Sequence, residues 1–96
     1  MSAYVIADIQ VTDAAAYEEY RPLAASAVAR FDGRFIVRGG KVDLLEGEPE
    51  PQRIVVIEFP DAAAARRWYH SEQYQAAVKI RQAASRGRVF LVEGAG

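Results

Sequence analysis

The chain has 96 residues, a formal net charge of −1 and no cysteine. Its length predicts one domain, residues 1–96, and its charge lacks the basic excess that nucleic-acid binding requires. Without cysteine the chain has no disulfides, thiol nucleophiles or cysteine-ligated zinc, which suits a cytoplasmic location. Its N-terminus does not read as a signal peptide, and no apolar run approaches membrane-span length. We therefore expect a cytoplasmic globular protein that binds neither nucleic acid nor membranes.

The first third of the chain predicts a strand followed by a helix. Ala3 to Val11 is rich in β-branched residues and reads as a strand. Thr12-Asp13 is a helix-capping pair, and apolar residues then recur at helical spacing. Pro22 should bend this helix, because it removes a backbone donor. Gly33 is the expected stop.

The middle of the chain predicts two further strands. Arg34 to Arg38 reads as the second strand, and Gly39-Gly40 after it predicts a bulge or bend. Lys41 to Glu46 is expected to resume that strand, before a proline-containing turn from Gly47 to Gln52. Arg53 to Phe59, with four consecutive β-branched residues, is the strongest strand of the chain.

The last third predicts an interrupted helix and a final strand. Asp61 caps the helix after Pro60, and Ser71 looks like a new cap at which the helix breaks and restarts. The restarted helix should run to about Ser85, with Gly87 as its end. Arg88 to Glu93 is the expected last strand.

This β-α-β-β-α-β order predicts an α+β, ferredoxin-like sandwich: a four-stranded antiparallel sheet with two helices on one face. We further expect the first and third strands to be parallel neighbours at its centre. The strands are apolar on both faces, and two helices can cover only one of them. A second copy of the sheet is the simplest cover for the other face, so we expect a homodimer.

Short motifs along nearly the whole chain resemble one known family. They are Tyr4-Val5-Ile6-Ala7, Tyr17-x-x-Tyr20, Arg38-Gly39-Gly40, Leu45-Glu46-Gly47, Arg53 to Phe59, and Trp68-Tyr69-x-Ser71-x-x-Tyr74. The chain is thereby similar to the bacterial domain of unknown function family 1330. The resemblance implies a dimeric α/β barrel, in which two ferredoxin-like subunits face each other through their sheets. Relatives of that architecture include muconolactone isomerases and antibiotic-biosynthesis monooxygenases, and fold analogy alone selects none of these reactions.

Asp8 and Glu58 are the predicted catalytic residues. Each lies about six residues into a strand that we expect at the centre of the sheet, so the two carboxylates should meet. Two carboxylates in an apolar cavity can have widely separated pKa values and act as an acid–base pair. The alternative is a structural network, with each carboxylate paired to an arginine such as Arg38 or Arg53.

Arg38 and Gly39 are predicted ligand contacts. An arginine offers a bidentate fork for a carboxylate, and a glycine lets a ligand approach the backbone closely. Both features suit a small organic acid. The alternative is a bulge beside a surface arginine.

The segment from Trp68 to Tyr74 contains the only tryptophan and the only histidine of the chain. Trp68, Tyr69 and Tyr74 are predicted walls of a ligand pocket, and the alternative, which the residue types favour for Trp68 and Tyr74, is that these two are packing anchors. His70 is expected to point to water, because it lies two residues from Trp68 along the helix. A lone histidine makes no metal site, and we expect neither a metal nor a cofactor.

Two classes of function remain open. The first is a cofactor-free isomerase, monooxygenase or lyase acting on a small, possibly aromatic, organic acid, with its pocket between sheet and helices. The second is a non-catalytic dimer that binds a small molecule or only assembles.

Overall fold

Four strands and three helices make up the fold of the computed structural model, which describes residues 1–95. In chain order they are β1 (Ala3–Val11), α1 (Ala14–Arg30), β2 (Arg34–Arg38), β3 (Arg53–Phe59), α2 (Ala62–His70), α3 (Glu72–Ala84) and β4 (Ser85–Glu93). Within the described part of the chain, no helix is long and apolar enough to cross a membrane.

The helix starts are encoded locally, and the predicted caps are confirmed. Asp13 accepts a hydrogen bond from the Ala16 N–H, and Asp61 accepts one from the Ala64 N–H. Ser71 ends α2 and starts α3, accepting from the Tyr74 N–H. Each side-chain oxygen satisfies one of the backbone donors that a helix start leaves free. The predicted break at Ser71 is therefore a change of helix.

The strand order is β2-β3-β1-β4, and every neighbouring pair is antiparallel. The expected antiparallel ferredoxin-like fold is thus confirmed, but the expectation that β1 and β3 run parallel is wrong. The crossover through α1 brings β2 back in the direction of β1. The next connection, from β2 to β3, reverses the chain, so β3 runs against both.

The two faces of the sheet differ in burial. Side chains at alternate positions of β1 and β3 point to the helices and are buried; they are Ala3, Val5, Ala7 and Ile9, and Val55, Ile57 and Phe59. The positions between them lie on the outer face and are only half-buried in a single chain. Period-two burial follows from the pleat of a strand. The core of the chain therefore lies between the sheet and the helices.

The ends of several elements match the expectations only in part. Gly33 closes the end of α1 by donating to the Val28 carbonyl, as expected of a helix stop, although the left-handed residue there is Asp32, with a φ of 64°. The expected bend is present at Gly39, whereas the irregularity in the pairing of β2 lies between Phe35 and Val37. No strand forms among the described residues 41–46, and β4 begins at Ser85, earlier than expected. Short strand and turn patterns carry little information on where pairing ends.

Candidate functional site

A narrow cavity lies between the inner face of the sheet and the helices. Its volume is about 40 Å³, and its lining includes buried residues of β1 and β3 as well as aromatic side chains of α1, α2 and α3. Those aromatic residues are Tyr17, Tyr20, Trp68 and Tyr74. One water needs about 10–15 Å³ by this measure, so the cavity has room for about three water-sized groups.

Arginines supply the charge of this cavity. Arg21, Arg38, Arg53 and Arg81 line it, and the lining drawn from residues 1–95 contains no Asp or Glu. Arg81 is only 8% exposed. Neither Arg53 nor Arg81 forms an ion pair with any described residue. Arg21 pairs with Glu18 at 3.1 Å, and Arg38 is exposed. The unusual charges are therefore those of the half-buried Arg53 and the buried Arg81, because buried charges are normally paired.

Unpartnered donors accompany this charge. Nε of Arg53, Nε of Arg81 and Nε1 of Trp68 are buried without a hydrogen-bond partner in the described part of the chain. All three residues line the cavity. Nε of arginine and Nε1 of tryptophan can only donate. The cavity therefore presents three hydrogen-bond donors that no acceptor in the described residues satisfies.

Tyr20 and Tyr74 add a further donor. Their hydroxyls are 2.6 Å apart and share a hydrogen bond in which either can donate. Burial raises the pKa of both tyrosines, and the Arg81 guanidinium opposes this rise only in part. Both hydroxyls thus stay protonated at neutral pH. The shared bond uses one of the two protons, so the second proton is available to an acceptor on a ligand.

Gly39 gives room to the Arg53 side chain. Gly39 has a φ of +73°, a conformation that favours glycine, and its N–H donates to the Ile54 carbonyl at 2.9 Å. A Cβ at this position would collide with the Arg53 guanidinium. That guanidinium also lies 5.5 Å from the centre of the Tyr17 ring. Gly39 thus lies beside the cavity, and its lack of a side chain allows the Arg53 guanidinium to occupy this position.

The predicted ligand-binding residues fall into two groups. Arg38, Trp68 and Tyr74 line the cavity, with the Arg38 guanidinium also stacked on the Phe35 ring at 4.1 Å. Tyr69 lies outside it, in a second groove along β4 that also includes His70. His70 is exposed, as the helical spacing predicted. The packing alternative for Trp68 also holds in part, since its ring centre is 4.0 Å from that of Tyr74.

The predicted carboxylate pair does not form. In the antiparallel register Glu58 is opposite Tyr4, whereas Asp8 is opposite Ile54, four positions further along β1. At about 3.3 Å per residue the two carboxylates are separated by about 13 Å along the sheet. Both lie on the outer face, away from the cavity. The expectation that they meet depended on parallel strands and is wrong, whereas a catalytic role for either one alone stays a prediction.

Glu58 has an arginine partner, but not one of those expected. Its carboxylate accepts a hydrogen bond from Nε of Arg34 at 2.7 Å and a longer one, of 3.4 Å, from the Tyr4 hydroxyl. The Arg34 contact is the main reason that the pKa of Glu58 is lowered. Asp8 is opposite Arg88 on β4.

Sequence reasoning missed Tyr20 and Arg81 as members of the site. A signal for Arg81 was present: it continues the buried stripe of Tyr74, Ala77 and Val78 along α3. A charged residue in an apolar stripe has to find either a counter-ion or a ligand. Tyr20 lies in the apolar stripe of α1, where only tertiary packing shows that its hydroxyl meets that of Tyr74.

A comparison with models of protein families identifies the family of this chain. The model of the domain of unknown function DUF1330 matches residues 2–95. The chain belongs to the DUF1330 family. The comparison with curated proteins gives no match.

Solved structures similar to this DUF1330 chain share its fold. A protein of unknown function from Rhodopseudomonas palustris is 20% identical with a TM-score of 0.81, over 99% of this chain and 83% of that one. SnoaB, a cofactor-independent oxygenase from Streptomyces nogalater, is 17% identical with a TM-score of 0.72, over 99% and 94%. A dimeric ferredoxin-like protein of unknown function from Jannaschia sp. is 15% identical with a TM-score of 0.71, over the full length of both. At these identities the likeness establishes the fold alone.

Proposed function

We propose that this DUF1330 protein is a homodimer in which each subunit binds a small organic acid in the cavity between sheet and helices. The observation that carries the proposal is the set of buried donors on Arg53, Trp68 and Arg81 that lack a partner among the described residues. Leaving a buried donor unpaired costs about 1–3 kcal/mol, so such groups need an acceptor that the ligand supplies. A carboxylate is a planar anion that only accepts, and it matches this lining.

The size of the cavity limits what it binds. About 40 Å³ accommodates a carboxylate and one or two further carbon atoms. The predicted aromatic acid does not fit inside as a whole. The proposal is therefore that the cavity holds the head group of the acid.

The dimer is proposed from the outer face of the sheet. Ile6, Ile54 and Val56 are half-buried there, and Phe90 and Val92 on β4 are 40% and 42% exposed. Such a contiguous apolar face is unusual on a soluble monomer. A two-fold dimer would cover it with the same face of a second copy. The dimeric protein from Jannaschia sp., which has the same fold, supports this arrangement.

Catalysis is the finer part of the proposal. SnoaB is a cofactor-independent oxygenase on a similar fold, and the tyrosine pair of this chain can donate a hydrogen bond to a bound acid. We propose isomerase, monooxygenase or lyase chemistry without a cofactor on the bound acid. The alternative is a dimer that binds the acid without converting it, since every group assigned to the cavity also explains binding alone.

Acid binding is tested with acetate and its neutral counterpart acetamide, titrated into the protein and followed by NMR. Acetate should shift the Trp68 indole resonance and acetamide should not, because two of the three unpaired donors belong to the guanidinium cations of Arg53 and Arg81. Arg81→Met should shift the response to higher acetate concentration, while Arg67→Met, a change at an exposed arginine outside the cavity, should leave it in place. Equal responses to acetate and acetamide would refute an anion site.

The two classes of function are separated by following a bound acid over time. Loss of the acid only in oxygenated buffer indicates an oxygenase, and loss without oxygen indicates an isomerase or lyase. An acid that binds and is recovered unchanged supports the binding alternative.

A further inference from the structure

The cavity shares walls with a larger groove on the outside of the subunit. This groove has a volume of about 340 Å³ and lies between α2 and the edge strand β4. Val5, Trp68 and Val89 line both spaces. The cavity and the groove are therefore adjacent, with these three side chains in the walls of both.

The groove differs from the cavity in chemistry. Ala65, Tyr69 and Leu91 contribute apolar and aromatic surface to it, together with the shared Trp68. Its polar side chains, those of Arg66 and His70, are exposed to solvent. An apolar or aromatic group would bury its surface here at little cost in lost hydrogen bonds.

Among the three shared residues, Val89 is the one whose side chain can control the passage. Val5 is 5% exposed and lies on β1, which is hydrogen-bonded to a neighbour on each side. Trp68 is 1% exposed and packed against Phe59 and Tyr74. Val89 is half-buried on the edge strand, which pairs within the sheet only with β1. Of the three shared side chains, that of Val89 is therefore the least constrained by its neighbours.

We infer that the ligand is an amphiphilic acid, with its carboxylate in the cavity and an aromatic or unsaturated tail in the α2–β4 groove, and that Val89 determines which tails are admitted. This inference rests on the proposed acid site and adds the class of tail and the residue that selects it. The donors surround the head group, and the aromatic side chains of Trp68 and Tyr69 face the tail. A cavity of about 40 Å³ beside a groove of about 340 Å³ fits this division of the ligand.

The test compares acetate, which has only the head group, with 3-phenylpropionate, which adds an aromatic tail. Because Val89 also lines the cavity, the readout is the preference for phenylpropionate over acetate. Val89→Phe should lower this preference roughly tenfold or more, as expected when bulk is added to an apolar subsite, and Val89→Ala should raise it. Val42→Phe, on the loop between β2 and β3 and outside both spaces, is the matched control.

The outcomes separate this inference from the proposed function. If acetate binds but neither Val89 variant changes the preference for phenylpropionate over acetate, the tail lies elsewhere and the inference is overturned, while the acid site stands. If wild-type protein binds neither acid, both are overturned. If Val89→Phe fails to fold, Val89→Ala and NOEs between the phenyl protons of bound phenylpropionate and the Tyr69 ring test the inference instead. Such NOEs would place the tail in the groove, and their absence in the bound complex would refute this placement.

Discussion

Replacing Arg81 with methionine should stabilise the unliganded protein and weaken acid binding at the same time. Arg81 is 8% exposed, its Nε has no hydrogen-bond partner, and it forms no ion pair within residues 1–95. A buried cation without a counter-ion opposes folding. Methionine keeps an unbranched apolar stem of similar reach and removes both the charge and the free donor.

The magnitude follows from the contacts of this side chain. Removing an unsatisfied buried donor should raise the free energy of unfolding by about 1–3 kcal/mol. Losing the polar interaction between Arg81 and Tyr74 should lower it again by about 1 kcal/mol. A net gain of about 1 kcal/mol raises the Tm by about 4–8 °C in a domain of this size. Binding loses a charge-assisted hydrogen bond, worth about 1.5–3 kcal/mol, so acetate affinity should fall by about 10-fold to 150-fold.

Urea and thermal unfolding without ligand measure the first effect, and acetate titration measures the second. Arg67→Met is the control, because Arg67 is an exposed arginine on α2 that lines neither the cavity nor the groove. A fall of several degrees in the Tm of Arg81→Met would show that the arginine holds the fold together. The donors of the cavity would then have a structural role, and the reasoning for an acid site would fail.

Further changes test the other parts of the structure. Val56→Asp should turn a micromolar dimer into monomer or insoluble protein in sedimentation experiments, since a charge within the covered face costs about 2–5 kcal/mol. The control Leu23→Asp, at an exposed leucine on α1, should stay dimeric. A wild-type protein that sediments as a monomer would refute the dimer. Trp68→Ala should cost about 3–5 kcal/mol in urea unfolding because it empties a buried aromatic site. His70→Gln should leave both stability and acetate binding unchanged, because His70 is exposed and lies outside the cavity. A loss of acetate binding in a stable variant would show that His70 contacts the head group. The pKa of Glu58 lies below its ordinary 4.5 in the folded chain. The ion pair of Glu58 with Arg34 therefore stabilises the fold above pH 4.5, and this stabilisation is lost as the pH falls through the lowered pKa. Glu58→Gln should reduce this acid dependence of the Tm, and an identical pH profile would mean that the ion pair contributes nothing to stability.

Local chemistry in the sequence was enough to predict the helices and most of the strands. A cap such as Asp13 or Ser71 acts on backbone groups two or three residues away, so its effect is readable without the rest of the molecule. Period-two burial of β1 and β3 is equally local, because it follows from the pleat. The exposed position of His70 likewise followed from helical spacing.

Tertiary structure decided which side chains meet. The direction of β3 depends on how the connections through α1 and between β2 and β3 route the chain, and that direction moves Glu58 away from Asp8. The site depends in the same way on contacts between distant segments: Tyr20 and Tyr74 are 54 positions apart in the sequence, yet their hydroxyls share a hydrogen bond. The charge on Arg81 could be read from the sequence, but its lack of a partner could not. Whether a buried donor is satisfied depends on every segment packed around it.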